Sequence, residues 1–245
     1  MITSVDNPRV KEVLRLRRSR DRRETGLFLV EGFREVERAR AAGLRFRATY
    51  VAPELSPAAA GQPDAEHVSA RVLRHMAYRA DPEGVLAVVE APSRELPPSP
   101  TLVLVAVGVE KPGNLGAMAR SAEAAGADAL IVADGSFDPW NPNAIRASTG
   151  AVFTLPVVSA TLETVRDLPL RRVAAVVGAP ARYTDVDLRA PTALIVGAED
   201  EGLDDRWRAA ADDTVAIPVR GATADSLNAS AAAAVLLFEA VRQRT

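Results

Sequence analysis

A chain of 245 residues, 48% hydrophobic and with a formal net charge of −2, is long enough for two modest domains and apolar enough for a sizeable core, which excludes wholesale disorder. With no cysteine and only His67 and His75 as histidines, disulfides and thiol chemistry are excluded, and no metal is expected. No apolar run nears the roughly 20 residues that span a bilayer, and the charged opening MITSVDNPRVKEVLRLRRSR lacks the apolar stretch of a secretory signal, so a soluble cytoplasmic protein without a membrane partner is expected.

From the start of the chain, Asn7 and Pro8 suit a helix N-cap with proline in the first turn, and Val10, Val13, Leu14 and Leu16 keep the helical period. Residues 27–30 form a short strand, residues 31–42 an amphipathic helix closed by Gly43, and residues 49–52 and 85–90 further strands. This front is basic: residues 1–47 hold 13 Lys/Arg against 7 Asp/Glu, which leaves the acidic balance to the rest. Such polarity steers a polyanion to one end, although a solvated Arg-rich helix explains it equally well. Residues 91–100, APSRELPPSP, carry four prolines without an apolar period and read as a linker. The expected division is therefore 1–90, linker 91–100, and 101–245.

From residue 101 strands and helices alternate: a continuous apolar strand TLVLVAVGV, a helix over 115–125 ended by Gly126, strands at 129–133, 172–177, 193–196 and 214–217, and a long Ala-rich helix over 227–242. Alternation of this kind predicts an α/β domain with a mainly parallel sheet, whose ligands bind in the loops after the strands. Three such loops are informative. In VGVEKPGNLGAMARSAEAAG, Asn114 sits at the helix start as a good cap, while Arg120 stands alone in a small-residue stretch. In TALIVGAEDEGLDD an apolar strand ends at Gly197, before Glu199, Asp200 and Glu201. Those carboxylates suit either a ligand or a helix N-terminus. In VAIPVRGATADSLNASAAAAVLL the strand stops at Ile217 and Pro218, and Asp225 or Ser226 can cap the helix. No G-x-G-x-x-G follows the first strand, which counts against an ordinary dinucleotide-binding enzyme.

Taken in order, the three loops resemble the signature motifs of the SpoU/TrmH family of RNA 2′-O-ribose methyltransferases. The first motif is met by Asn114, Gly116 and Arg120, the second by Gly197, Glu199, Gly202 and Leu203, and the third by Ile217, Pro218, Gly221, Ser226, Leu227 and Asn228. The stretch between Arg220 and Asp225 is Ala- and Thr-rich, a mild departure that leaves the motif intact. The front resembles that family's ribosomal-protein-like RNA-binding domain. The resemblance implies a trefoil-knotted methyltransferase domain, a homodimer, and S-adenosylmethionine held by backbone groups of Gly197, Ile217 and Leu227. It gives Arg120 the proton-taking or hydroxyl-orienting role, with Asn114, Glu199, Ser226 and Asn228 holding it in place. RNA contacts are expected from Arg15, Arg17, Arg18, Arg20, Arg22 and Arg23, at least half of them on phosphate. Large-subunit ribosomal RNA is the expected substrate, with transfer RNA, or a non-catalytic ribosome-assembly role, as alternatives.

Overall fold

The structure is a computed structural model that describes residues 1–245 apart from Ser136, Ala222 and Ala224. Its contacts divide the chain into two compact units: Met1–Ser93 with Trp140–Phe153, and Arg94–Pro139 with Thr154–Thr245.

In the first unit, α1 (Pro8–Arg15) begins as its sequence dictates. Asn7 accepts the Arg9 N–H and Pro8 occupies the first turn, where its missing N–H costs nothing. A second helix, α2 (Ser19–Thr25), follows at once and stops at Gly26, φ +65. Next come β1 (Leu27–Glu31), α3 (Phe33–Ala41), β2 (Phe46–Val51), β3 (Ala65–His67), α4 (Ala70–Met76) and β4 (Val85–Glu90). The four strands form a sheet in the order β1-β4-β2-β3, antiparallel except for β2 and β3. Val10 and Val13 of α1 and Val72, Leu73 and Met76 of α4 pack with Leu29, Tyr50 and Leu86 to make its core.

The second unit opens with β5 (Leu102–Val107), α5 (Pro112–Ala124) and β6 (Ala129–Ala133). The chain then supplies α6 (Pro142–Ser148) to the first unit, where Trp140 stacks on Phe28 with ring centroids 4.4 Å apart. These residues read from the sequence as part of the catalytic segment. The second unit continues with β7 (Val157–Ser159), α7 (Leu162–Asp167), β8 (Arg171–Ala175), β9 (Ala181–Arg182), β10 (Thr192–Val196), α8 (Asp205–Ala210), β11 (Asp213–Ala216) and α9 (Ala229–Arg244). Its seven strands run in the order β7-β6-β5-β10-β8-β11-β9, every pairing parallel. The α/β class expected from the alternation is the one found. Strands β5, β6 and β10 are buried throughout, as their unbroken apolar runs require when both sheet faces are covered.

Two local readings are corrected. Asn114 does not cap α5, which starts two residues earlier with Pro112 in its first turn and no side-chain cap. Neither Asp225 nor Ser226 caps α9; Asn228 does, accepting the Ser230 N–H at 3.0 Å. Both asparagines serve the site described next.

Candidate active site

The loops after β10 and β11 carry the second and third motifs, at the carboxyl ends of parallel strands where ligands bind in such sheets, and α5, which follows β5, carries the first. The loop after β10 turns back on itself: the Gly202 N–H donates to the Ala198 carbonyl at 3.0 Å, and Gly202 takes φ +65. Its far end is anchored by Leu203 and Trp207, both buried in the sheet core. Asp204 caps α8 by accepting the Trp207 N–H, and that bond, with Arg206 beside it, holds the Asp204 carboxyl below its ordinary value. The fold-back leaves no room at Gly197. A Cβ there would lie 2.3 Å from the Gly202 carbonyl carbon and oxygen and 2.7 Å from the Leu203 nitrogen. Glycine is thus required by contact with the backbone of its own loop.

Gly197, Ile217 and Leu227 line one cavity of about 320 Å³, walled by the ends of β8, β10 and β11. That volume falls in the range of small-molecule sites. Ser226, Asp225 and Glu199 border it as well, and so do Asp200 and Glu201, which the motif does not select. Asp200, Glu201 and Asp225 have no ion-pair partner among the described residues. The cavity therefore joins an apolar wall to an acidic rim.

Beside the cavity, Asn228 joins α5 to the loop after β10. Its Nδ2 donates to Asn114 Oδ1 at 3.3 Å and to Glu199 Oε2 at 3.2 Å, while its Oδ1 accepts from the Ser230 N–H and hydroxyl. Because the cap fixes Oδ1, the amide must point its nitrogen at the two acceptors. Glu199 links the cavity to this pair, and Lys111 Nζ stands 3.7 Å from the same carboxylate oxygen. Lys111 escaped the sequence reading, although its place three residues before Asn114 was the available signal. Arg120 is not in this cluster: it is exposed on α5, with no hydrogen-bond or ion-pair partner among the described residues. Ser226 is exposed at the cavity rim and makes no described hydrogen bond with the asparagine pair.

The six front arginines divide. Arg15, Arg18 and Arg23 are exposed and have no partner among the described residues, while Arg20 pairs with Glu24 at 2.7 Å. Burial corrects Arg22 as an RNA contact, and Arg17, though exposed, is engaged within the unit. Arg22 is 4% exposed and donates to the Leu16 carbonyl at 2.6 Å, tying the end of α1 to α2. Arg17 closes α4 by donating to the His75 carbonyl at 2.8 Å and to that of Ala77. Both guanidiniums satisfy helix-end carbonyls that would otherwise lack donors.

Residues 101–238 match the model of the SpoU rRNA methylase family, and residues 7–87 that of the MRM3-like substrate-binding domain. A 23S rRNA (uridine(2479)-2′-O)-methyltransferase from Streptomyces viridochromogenes is 40% identical over 66% of this chain and 61% of its own length. The chain spans less than two thirds of that relative. The 23S rRNA (guanosine(2553)-2′-O)-methyltransferase RlmP of Bacillus subtilis is 31% identical over 97% of both chains. Among solved structures, an RNA 2′-O-ribose methyltransferase superposes with a TM-score of 0.87 and 44% identity, over 99% of this chain and 98% of the other. An S-adenosylmethionine-bound rRNA methyltransferase from Sinorhizobium meliloti gives 0.87 at 29% identity, over 100% and 98%. Two motif loops around one cavity, the first motif tied to them through Asn114, and these likenesses agree: the chain belongs to the SpoU rRNA methylase family.

Proposed function

We propose that this chain is an S-adenosylmethionine-dependent RNA methyltransferase acting on a ribose 2′-hydroxyl of large-subunit ribosomal RNA. The observation that carries this is the double role of Glu199, which borders the cavity and fastens the Asn114–Asn228 pair beside it. The cavity fits the cofactor. Its apolar wall suits an adenine, main-chain groups at Gly197, Ile217 and Leu227 can satisfy the ring and ribose, and carboxylates at the rim complement a cationic donor. When bound, S-adenosylmethionine supplies a methyl group on a sulfonium, an electrophile that needs no metal.

The chain's own residues position the nucleophile. A guanidinium keeps its protons in water, so Arg120 grips phosphate and aligns the hydroxyl for in-line attack, with water or a neighbouring acceptor taking the proton. Asn114, Glu199 and Asn228 form a rigid bracket next to the bound donor, and Ser226 borders both donor and substrate. The MRM3-like front domain favours ribosomal over transfer RNA. A homodimer through α9 and a knot threading the loops after β10 and β11 belong to the same reading. The Ala-rich helix, with Phe238 half exposed, supports the first. Convergence of those loops on one cavity supports the second.

The test is transfer from labelled S-adenosylmethionine to deproteinised ribosomal RNA and to transfer RNA, followed by mapping of 2′-O-methyl positions. One new position in 23S-type RNA is expected. Methylation of transfer RNA alone would replace the substrate, and no transfer to either RNA would overturn the enzymatic reading.

A further inference from the structure

In the first unit an aromatic ring is held at the surface by a charge network that contains two buried carboxylates. Tyr78 follows α4 and is 44% exposed. Its backbone N–H and that of Arg79 donate to the two oxygens of Glu31, the second at 3.1 Å, and Glu31 is buried. Arg79 pairs with Glu35 at 3.3 Å and with Glu83 at 2.5 Å. Glu35 is 1% exposed, and Glu83 accepts the Phe33 N–H at 3.2 Å. At the far end of the ring, the Tyr78 hydroxyl accepts from Asn143 Nδ2 at 3.2 Å. Gly32, φ +93, completes the arrangement, since a Cβ there would press on Arg79, Glu35 and Glu83 at 3.0–3.1 Å.

Buried carboxylates are costly unless fully paired, and apolar packing would hold a loop more cheaply. What these carboxylates specify is the orientation of a ring fixed at both its backbone and its hydroxyl. Arg146 is exposed, has no partner among the described residues, and lines the same small cleft as Tyr78 and Asn143.

We propose that Tyr78 is a stacking platform for an unpaired base of the RNA, with Arg146 receiving an adjacent phosphate; this rests on the RNA-modifying reading above. Proteins that read RNA splay single-stranded bases onto aromatic rings, and stacking tolerates any base because each has a π face. A ring already locked by Glu31 and Asn143 loses little further freedom on binding. This contact depends on an unpaired base, unlike that of Arg15, Arg18 and Arg23, which depends on charge.

Full-length protein and its Tyr78→Ala, Tyr78→Phe and Arg146→Ala variants are titrated by fluorescence anisotropy, once with a labelled single-stranded oligoadenylate and once with a fully paired RNA duplex. Tyr78→Ala should weaken oligoadenylate binding about tenfold, or about 1.4 kcal/mol. Tyr78→Phe should stay within about twofold, because the π face remains. Duplex binding, melting temperature and S-adenosylmethionine affinity should match the parent in both tyrosine variants. Arg146→Ala should weaken oligoadenylate binding and flatten its salt dependence. The proposal is overturned if Tyr78→Ala binds oligoadenylate as the parent does, if the duplex loses equally, or if Phe loses as much as Ala. Should Tyr78→Ala fail to fold, an unchanged Arg146→Ala overturns it. A parent that methylates RNA while Tyr78→Ala binds normally sinks this inference alone. A parent that binds neither RNA sinks the functional reading with it.

Discussion

Gly197→Ala is the smallest perturbation with the largest expected effect on the cavity proposed for the cofactor. The added methyl carbon would sit 2.3 Å from two backbone atoms of Gly202, whereas ordinary contact begins at 3.4 Å. Some backbone must therefore retreat by about 1 Å. Retreat outward is opposed by Leu203 and Trp207, which are locked in the sheet core, and by the Gly202-to-Ala198 hydrogen bond. Retreat inward displaces the end of β10. Overpacking of this kind costs about 1–3 kcal/mol, and the strained segment is itself the cavity wall. S-adenosylmethionine affinity should therefore fall about ten- to a hundredfold. Calorimetric titration measures it, with thermal melting to show that the fold persists. Gly113→Ala is the control: open space surrounds it on α5, and binding should not change. If Gly197→Ala binds the cofactor as tightly as the parent, the loop after β10 does not form the cofactor site.

Arg120→Ala should abolish methyl transfer while leaving S-adenosylmethionine affinity and melting temperature near parental, since Arg120 has no described partner to lose; near-normal turnover would refute its role. Replacing Arg15, Arg18 and Arg23 with alanine should flatten the salt dependence of RNA binding at unchanged stability, whereas Arg22→Ala should lower the melting temperature by orphaning the buried Leu16 carbonyl. An unchanged salt slope in the triple variant would move the RNA surface elsewhere. Burial alone would raise the Asp128 carboxyl, but the N–H groups of Leu102 and Thr101 outweigh it and hold the group below its ordinary 3.8. That stabilisation is complete above the ordinary value and is lost as pH falls through the lowered one, so the melting gap between parent and Asp128→Asn should close in acid below about pH 4. A gap that persists there would refute the linkage.

The parallel sheet was legible because its central strands are apolar without interruption, and three glycines, Gly26, Gly43 and Gly126, stand at positive φ just past helices. Short elements were not. Helices α7 and α8 have six residues each, too few for a period, and tertiary burial of Leu162 and Trp207 decides them. At the site, propensity misled where a long-range contact prevailed: Asn114 has the composition of a cap, yet its side chain meets Asn228 across 114 positions of chain. Nothing local signals such a pairing. The arginine stretch is expected to place at least half its members on phosphate without saying which, and only the helix ends beside Arg17 and Arg22 reveal that these two serve structure. Glu201 lies outside the motif match, yet the turn of its loop brings it to the cavity.

The membership of Trp140–Phe153 in the first unit sets an order of events during synthesis. Phe28 takes its stacking partner from Trp140 and a second ring, Phe153, at 6.2 Å, and Arg38 reaches the Thr149 carbonyl. A ribosome that has released only the first 93 residues has delivered a sheet whose Phe28 still lacks both rings. That half-finished core must wait while β5, α5 and β6 emerge, and it is sealed only by a segment made some fifty residues later. The front domain is therefore not a cassette that a cut at the proline-rich linker could lift into another enzyme. Any graft would have to carry residues 140–153 with it.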